Sequence, residues 1–201
     1  MTPAGELIGT PARGTLMGNR GGRFHDPATR ELGSRRWASR QWIACVLSFK
    51  GRHREVWKTG YTELFFLDEV TALAAGHRPC FECRREDAVR FGEAVANGLG
   101  LAKRPGAAEM DRVLHEERLH GRAKRRHVAD VSALPDGSMI ELDGKALAVR
   151  GERLLVWAPG GYSSAAGRPS GGTVAVLTPP TIVAALSAGY RPAWHGSATP
   201  P

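Results

Sequence analysis

Helical periodicity in the middle of the chain, followed by short β-rich runs toward the C-terminal end, predicts an α+β fold. Two amphipathic patterns with cap signals occupy the region after Asp68. The last third alternates strand-like runs with Pro-Asp-Gly, Asp-Gly and Arg-Gly breaks, the pattern of a β-meander or small barrel unit. With 25 glycines and 13 prolines in 201 residues, short elements and frequent turns are expected.

Residues 1–36 are rich in Gly, Pro and Arg, lack periodicity, and read as a loop-rich basic arm with one short strand near 14–17. Residues 41–49 (QWIACVLSF) are a dense apolar run with β-branched and aromatic members, and with 52–57 they predict a β-hairpin. In its first strand Trp42, Ala44 and Val46 share one face while Ile43, Cys45, Leu47 and Phe49 share the other, which sets Cys45 among apolar neighbours. A further strand is expected over 61–66. Asp68 then serves as N-cap of a helix to about Ala75, with Gly76 as the residue that ends it. A second helix over about 84–97 places Ala88, Phe91, Ala94 and Val95 inward, and a third over 108–120 does the same with Met110, Val113, Leu114 and Leu119. Strands follow from Val128, and Asp143-Gly144 is a hairpin turn signal. The Gly- and Ser-rich stretch 159–172 reads as a flexible loop and 173–177 as a last strand. Pro179-Pro180 starts a final helix, and the tail after Arg191 is expected to be loosely ordered.

Apolar residues make up 42% of the chain, enough for a packed core, and no apolar run has the length of a membrane span or a signal-peptide core. A cytoplasmic protein without membrane contact is therefore expected. Three cysteines do not make a disulfide framework. The net charge of +8 is uneven: +7 over 1–60, −3 over 61–102, +4 over 103–127 and zero beyond. That distribution suits a polyanionic partner, because each phosphate neutralised by Lys or Arg releases counterions. Trp37, Trp42, Trp57 and Tyr61 lie among Arg35, Arg36, Arg40, Arg52 and Arg54, a pattern that suits either base stacking or arginines packed over tryptophans.

Two constellations carry possible chemistry. Cys80 and Cys83, three apart at a turn, can converge on one tetrahedral ion. A redox pair of the thioredoxin kind begins a helix after a strand, whereas here a helix precedes the turn. Asp111 and His115 stand at i, i+4 on one helix face, a spacing open both to a metal or general-base pair and to ordinary surface ion pairing.

The string Ala72-Leu73-Ala74-Ala75-Gly76-His77-Arg78-Pro79-Cys80-Phe81-Glu82-Cys83, after Phe65-Phe66, resembles the metal-binding domain of Ada-type DNA methyl-phosphotriester repair proteins. The likeness is close over 65–90 and extends loosely back to Trp42. It implies a small zinc-ribbon-like α/β module, a Zn(2+) ion held by the Cys-x-x-Cys pair and two upstream cysteines, and DNA as partner. This chain departs from that pattern upstream. Without gaps, the two upstream positions fall on Phe49 and His53, and Cys45 lies one step earlier on the face of Phe49. The ligand set implied by the resemblance is therefore Cys80, Cys83, Cys45 and His53, with His25 and His77 as further candidates.

The chain then divides into a basic arm (1–36), an Ada-like metal-binding module (37–100), a basic helical linker (101–127) and a β-rich unit (128–201). The function expected is nucleic-acid binding, DNA above all, organised by the zinc module, with Arg52, Arg54, Arg78, Arg84, Arg85, Arg122, Lys124, Arg125 and Arg126 on phosphates. Two other readings stand beside it. One is a metal-dependent nuclease or DNA-modifying enzyme using Asp111 and His115 or a reactive Cys45. The other is a metal-free structural or interaction protein retaining the Ada-like fold.

Overall fold

In the computed structural model, which describes residues 1–52 and 55–198 (backbone only for 164–166), the chain is α+β. The N-terminal part forms β1 (Leu16–Arg20), β2 (Trp42–Val46), β3 (Leu64–Phe66), α1 (Glu69–Ala74), β4 (Arg78–Pro79) and α2 (Arg85–Leu99). Next come α3 (Ala107–Arg118) and a small hairpin of β5 (Leu119–His120) and β6 (Ala123–Lys124). The remainder comprises β7 (His127–Asp130), β8 (Met139–Leu142), β9 (Lys145–Arg150), β10 (Arg153–Ala158), β11 (Gly161–Gly167), β12 (Thr173–Val176) and α4 (Pro180–Ser187). None of these helices is long and apolar enough to cross a membrane.

The first sheet has the order β3-β1-β2-β4. Strand β1 is antiparallel to both of its neighbours, and β4 runs parallel to β2 with Arg78 opposite Ile43 and Pro79 opposite Ala44. The arm read from the sequence is thus partly an inner strand, and Met1 is buried with Leu16, Phe24 and Phe66. The hairpin expected over 41–57 does not form among the described residues. Strand β2 takes its ladder partners from β1 and β4, and residues 47–52 form no strand. A periodic pattern shows that a run is a strand but not which distant run completes its ladder.

The second sheet has the order β11-β10-β9-β8-β12-β7, with every adjacent pair antiparallel. Strands β8 to β11 are the expected meander, with the Asp143-Gly144 turn between β8 and β9. Among the described residues the sheet is open, with β7 and β11 at its edges, and does not close into a barrel. Strand β11 occupies much of the stretch read as a flexible loop: Trp157 pairs with Tyr162 and Ala158 with Gly161 around a two-residue turn. Its small residues have little strand propensity of their own, and the neighbouring β10 supplies the ladder that orders them.

Helix α1 joins these layers, and all six of its residues are buried. Leu73 packs among Phe91, Met110, Leu114 and Ile182 on the helical side. Val70 and Ala74 meet Met139, Leu155 and Tyr162 of the second sheet, while Ala72 belongs to the interior beneath the first. Its alanines let backbone approach backbone on several sides at once. Gly76, at φ +85, ends the helix; a Cβ there would lie 2.7 Å from the Arg118 side chain, so both the left-handed turn and the close approach require glycine.

As the sequence predicts, Asp68 caps α1, accepting bonds from the Thr71 amide at 2.9 Å and the Thr71 hydroxyl at 2.8 Å. It also accepts from the Tyr162 hydroxyl at 3.1 Å and the His195 amide at 3.0 Å. The C-terminal segment expected to be loose is therefore tied down. The Ala193 amide donates to Glu69 at 2.9 Å, and the Trp194 ring lies 5.8 Å from that of Tyr162. Asp68→Ala removes the cap and strands two donors from distant elements, the Tyr162 hydroxyl and the His195 amide. It should destabilise the fold by about 3 kcal/mol, measured by urea denaturation.

Candidate metal centre

Strand β2 presents Cys45 on the face it shares with Ile43, as its alternation predicts. The parallel bridge to β4 brings the α1–α2 turn beside that strand, and the Cys80 amide donates to the Ala44 carbonyl at 3.0 Å. Pro79 has no donor to lose at this point, so it suits the end of a two-residue strand. The Cys80 carbonyl in turn accepts from the Arg84 amide at 3.0 Å, and α2 begins one residue later. Cys83 is thereby returned toward β2. The Sγ atoms of Cys45, Cys80 and Cys83 all lie within 4.8 Å of one another.

Cys45 and Cys80 are buried and Cys83 is half-buried. Hydrogen bonds from the Cys45 and Cys83 thiols, with the Cys83 and Glu82 amides, hold Cys80 well below the ordinary thiol value; the Glu82 amide is 3.4 Å from its Sγ. The same bond to Cys80, then that to Cys83 and burial, push Cys45 far up. Cys83 is raised, the bond from Cys45 working against its interaction with Cys80 and its burial. The cluster thus stabilises one thiolate at Cys80 while discouraging two more. A divalent cation reverses that preference by replacing thiol protons with its own charge. Tetrahedral zinc with bonds of about 2.3 Å sets its sulfurs about 3.8 Å apart, so the cluster needs to contract by no more than about 1 Å. The residues present fit zinc.

A cavity of about 230 Å³ borders the cluster, walled by Met17, Leu47, Phe49 and Phe65 with Arg52 and Glu82 at polar positions. Phe49 is part of this apolar wall, and Arg52 is held by Glu82 at 2.8 Å. His53, the fourth ligand expected, and Arg54 lie outside the described residues. Neither of the other histidines joins the cluster. His25 bonds Thr62 at 2.8 Å and stacks on Trp57, while His77 is buried against Trp42 and Phe66.

Two of the arginines expected on phosphates are instead internal. Arg78 is 1% exposed and grips Asp111 with both Nε and Nη2, at 2.9 and 2.8 Å. Arg84 is buried between Glu69 and Asp87, each at 2.8 Å, with Glu69 holding its charge above the ordinary range against the cost of burial. A buried arginine charge is stabilised by a carboxylate, and here Asp111 and Glu69 are supplied by other elements of the fold. Arg85, Arg122, Arg125 and Arg126 are exposed, although Arg126 meets Glu141 at 2.8 Å, and Lys124 is half-buried.

The same ion pair removes the expected pairing of Asp111 with His115. Asp111 is occupied by Arg78, and His115 Nδ1 faces Arg118 Nη2 at 3.0 Å. Burial, then Arg118, lowers the His115 pKa. The two side chains serve separate contacts and do not form a joint acid–base or metal site. Arginines do pack over Trp42, but they are buried Arg20 and Arg118, neither of which is its neighbour in sequence. Arg20 and Arg118 stack on its ring with guanidinium carbons 3.7 and 3.9 Å from the centroid.

The fold and site together define an α+β protein with a three-cysteine cluster close enough to hold a metal ion and compatible with zinc. No protein-family model, curated protein or solved structure matches this chain.

Proposed function

We propose that this is a zinc-binding, Ada-like protein that binds nucleic acid, with DNA the expected form. The observation that carries the reading is the approach of Cys45 to Cys80 and Cys83 from a separate strand, all three sulfurs within 4.8 Å. Buried free cysteine is common as a small apolar residue. Three thiols facing one another at the end of a strand and across a Cys-x-x-Cys turn are better accounted for as ligands. In this reading the metal is structural: it fastens the α1–α2 turn to β2, and since structural zinc takes four protein ligands, the resemblance makes His53 the fourth.

The nucleic-acid part of the proposal rests on charge. Exposed Arg122, Arg125 and Arg126 follow α3, Arg85 opens α2, and the chain carries +8. Asp111 and His115 give the nuclease alternative no shared site, so the binding reading is preferred.

Protein purified without a histidine tag should contain about one zinc per chain by elemental analysis, and Cys80→Ser should abolish it. His53→Ala should weaken retention against a chelator. Fresh protein without metal ends the zinc reading. DNA affinity should fall steeply between about 50 and 200 mM salt, and binding that ignores salt would remove the nucleic-acid reading.

A further inference from the structure

Away from the cysteines, a cleft of about 530 Å³ opens where the N-terminal segment, β1, β2, the end of α3 and the β5–β6 hairpin meet. Its volume falls within the roughly 300–1,000 Å³ of small-molecule sites. Six cations line it: Arg20, Arg36, Arg118, Arg122, Lys124 and Arg126. Glu6 is the one acidic residue in the lining, and among the described residues Arg126 alone of the six has an ion-pair partner, Glu141.

Arg20 and Arg118 are 2% and 0% exposed. Arg20 donates to the Gly5 carbonyl at 2.8 Å and to the Arg36 carbonyl at 3.2 Å. Arg118 donates to the carbonyls of Gly76 at 2.9 Å and Arg40 at 2.6 Å, and Lys124 to that of Ala74. Carbonyls and the Trp42 ring satisfy donors, but they leave full charges side by side in a desolvated place. Buried arginines elsewhere in this protein, Arg78 and Arg84, are each given a carboxylate. Arg118 Nε has no partner among the described residues. Burial, then like-charged neighbours, pushes Arg20 and Arg118 down to about 9 and Lys124 down to about 7. A concentration of cations with this little compensation suits an anion that arrives from outside.

We propose that this cleft is a phosphate site, taking the phosphomonoester of a nucleotide, either free or at the end of a strand. Buried Arg118 and half-buried Lys124 supply charge, exposed Arg36 and Arg122 close on the same group, and half-buried Trp37 in the lining offers an aromatic face to the base. The site uses none of the cysteines. Its strand-end form rests on the nucleic-acid reading above, and its free-nucleotide form does not.

The test is calorimetry and thermal denaturation of the full chain with inorganic phosphate, adenosine monophosphate, adenosine, and one short oligonucleotide with either a 5′-phosphate or a 5′-hydroxyl. The monophosphate should bind and raise the Tm by roughly 2 °C or more, whereas adenosine should do neither. Lys124→Gln keeps a donor for Ala74 but removes a charge. It should raise the Tm of the ligand-free protein and weaken phosphate binding about tenfold, a combination that a merely structural lysine would not give. Arg122→Gln, on an exposed side chain, should weaken binding without affecting folding. Tighter binding of the phosphorylated strand than of the mononucleotide places the ligand at a strand end, and the reverse identifies a free nucleotide. Equal affinity for phosphorylated and hydroxyl ligands, or affinity unchanged in both variants, overturns the proposal. Loss of salt-dependent binding to the hydroxyl strand alone would count against the general nucleic-acid reading and leave this site standing.

Discussion

Asp111→Ala should destabilise the protein by about 3–5 kcal/mol, seen as a lower midpoint in urea with an unchanged slope. Among the described residues, the substitution leaves the buried Arg78 guanidinium with the Pro79 carbonyl at 3.1 Å and the Phe81 ring, whose centroid lies 5.3 Å away. The loss is large because Arg78 does two things at once. It crosses from β4 to α3 and so fastens the cysteine turn to the helical layer, and it sits two residues before Cys80. Replacing both partners by apolar residues, Arg78→Met with Asp111→Leu, should recover much of the stability, because no charge is then left unpaired. A cost that stays above about 3 kcal/mol in the double variant would mean that packing, and not the stranded charge, dominates.

Removing zinc, as proposed for the cysteine cluster, should have an effect of similar size. A ligand held at a thousand times its Kd stabilises by about 4 kcal/mol, so chelation should lower the Tm by several degrees, and re-addition of zinc should restore it. Cys80→Ser should abolish the zinc-dependent part altogether. Cys83→Ser, at the half-buried position, should leave weaker residual binding. Indifference of the Tm to chelator in metal-containing protein would show that the ion does not bridge β2 and the turn. Phe49→Cys, on the wall of the adjoining cavity, provides a gain-of-ligand control: tighter zinc retention would place this wall within reach of the ion.

The legible parts of this chain are those settled by neighbours in sequence. Asp68, Gly76 and the apolar spacing of α2 lie within a few residues of what they control, so the cap and stop of α1 and the inward face of α2 could be read directly. The meander from Met139 to Ala158 was legible for the same reason, since each turn connects adjacent strands. Of the candidate site, Cys80 and Cys83 announced themselves by spacing, and Cys45 entered through the resemblance and the alternation of its strand. The pairing of Arg78 with Asp111 was not legible, nor that of Arg84 with Glu69. An arginine at a turn looks like a surface cation until a distant carboxylate is folded against it.

By itself, the sequence determined the α+β class, the helix boundaries near the cysteine turn, the meander, and the residue types able to hold a metal. These follow from short-range periodicity, capping and turn chemistry, which act over one or two turns of chain. Only the tertiary structure decided that β1, β2 and β4 share a sheet, that α1 lies buried among three hydrophobic clusters, and that three sulfurs meet. The tertiary structure likewise turned Arg78 and Arg84 inward and gathered Arg20, Arg118 and Lys124 around one cleft. Burial and long-range pairing are properties of the folded chain. The energies that fix a charge's role, desolvation and the presence or lack of a counterion, exist only once the distant partner has arrived.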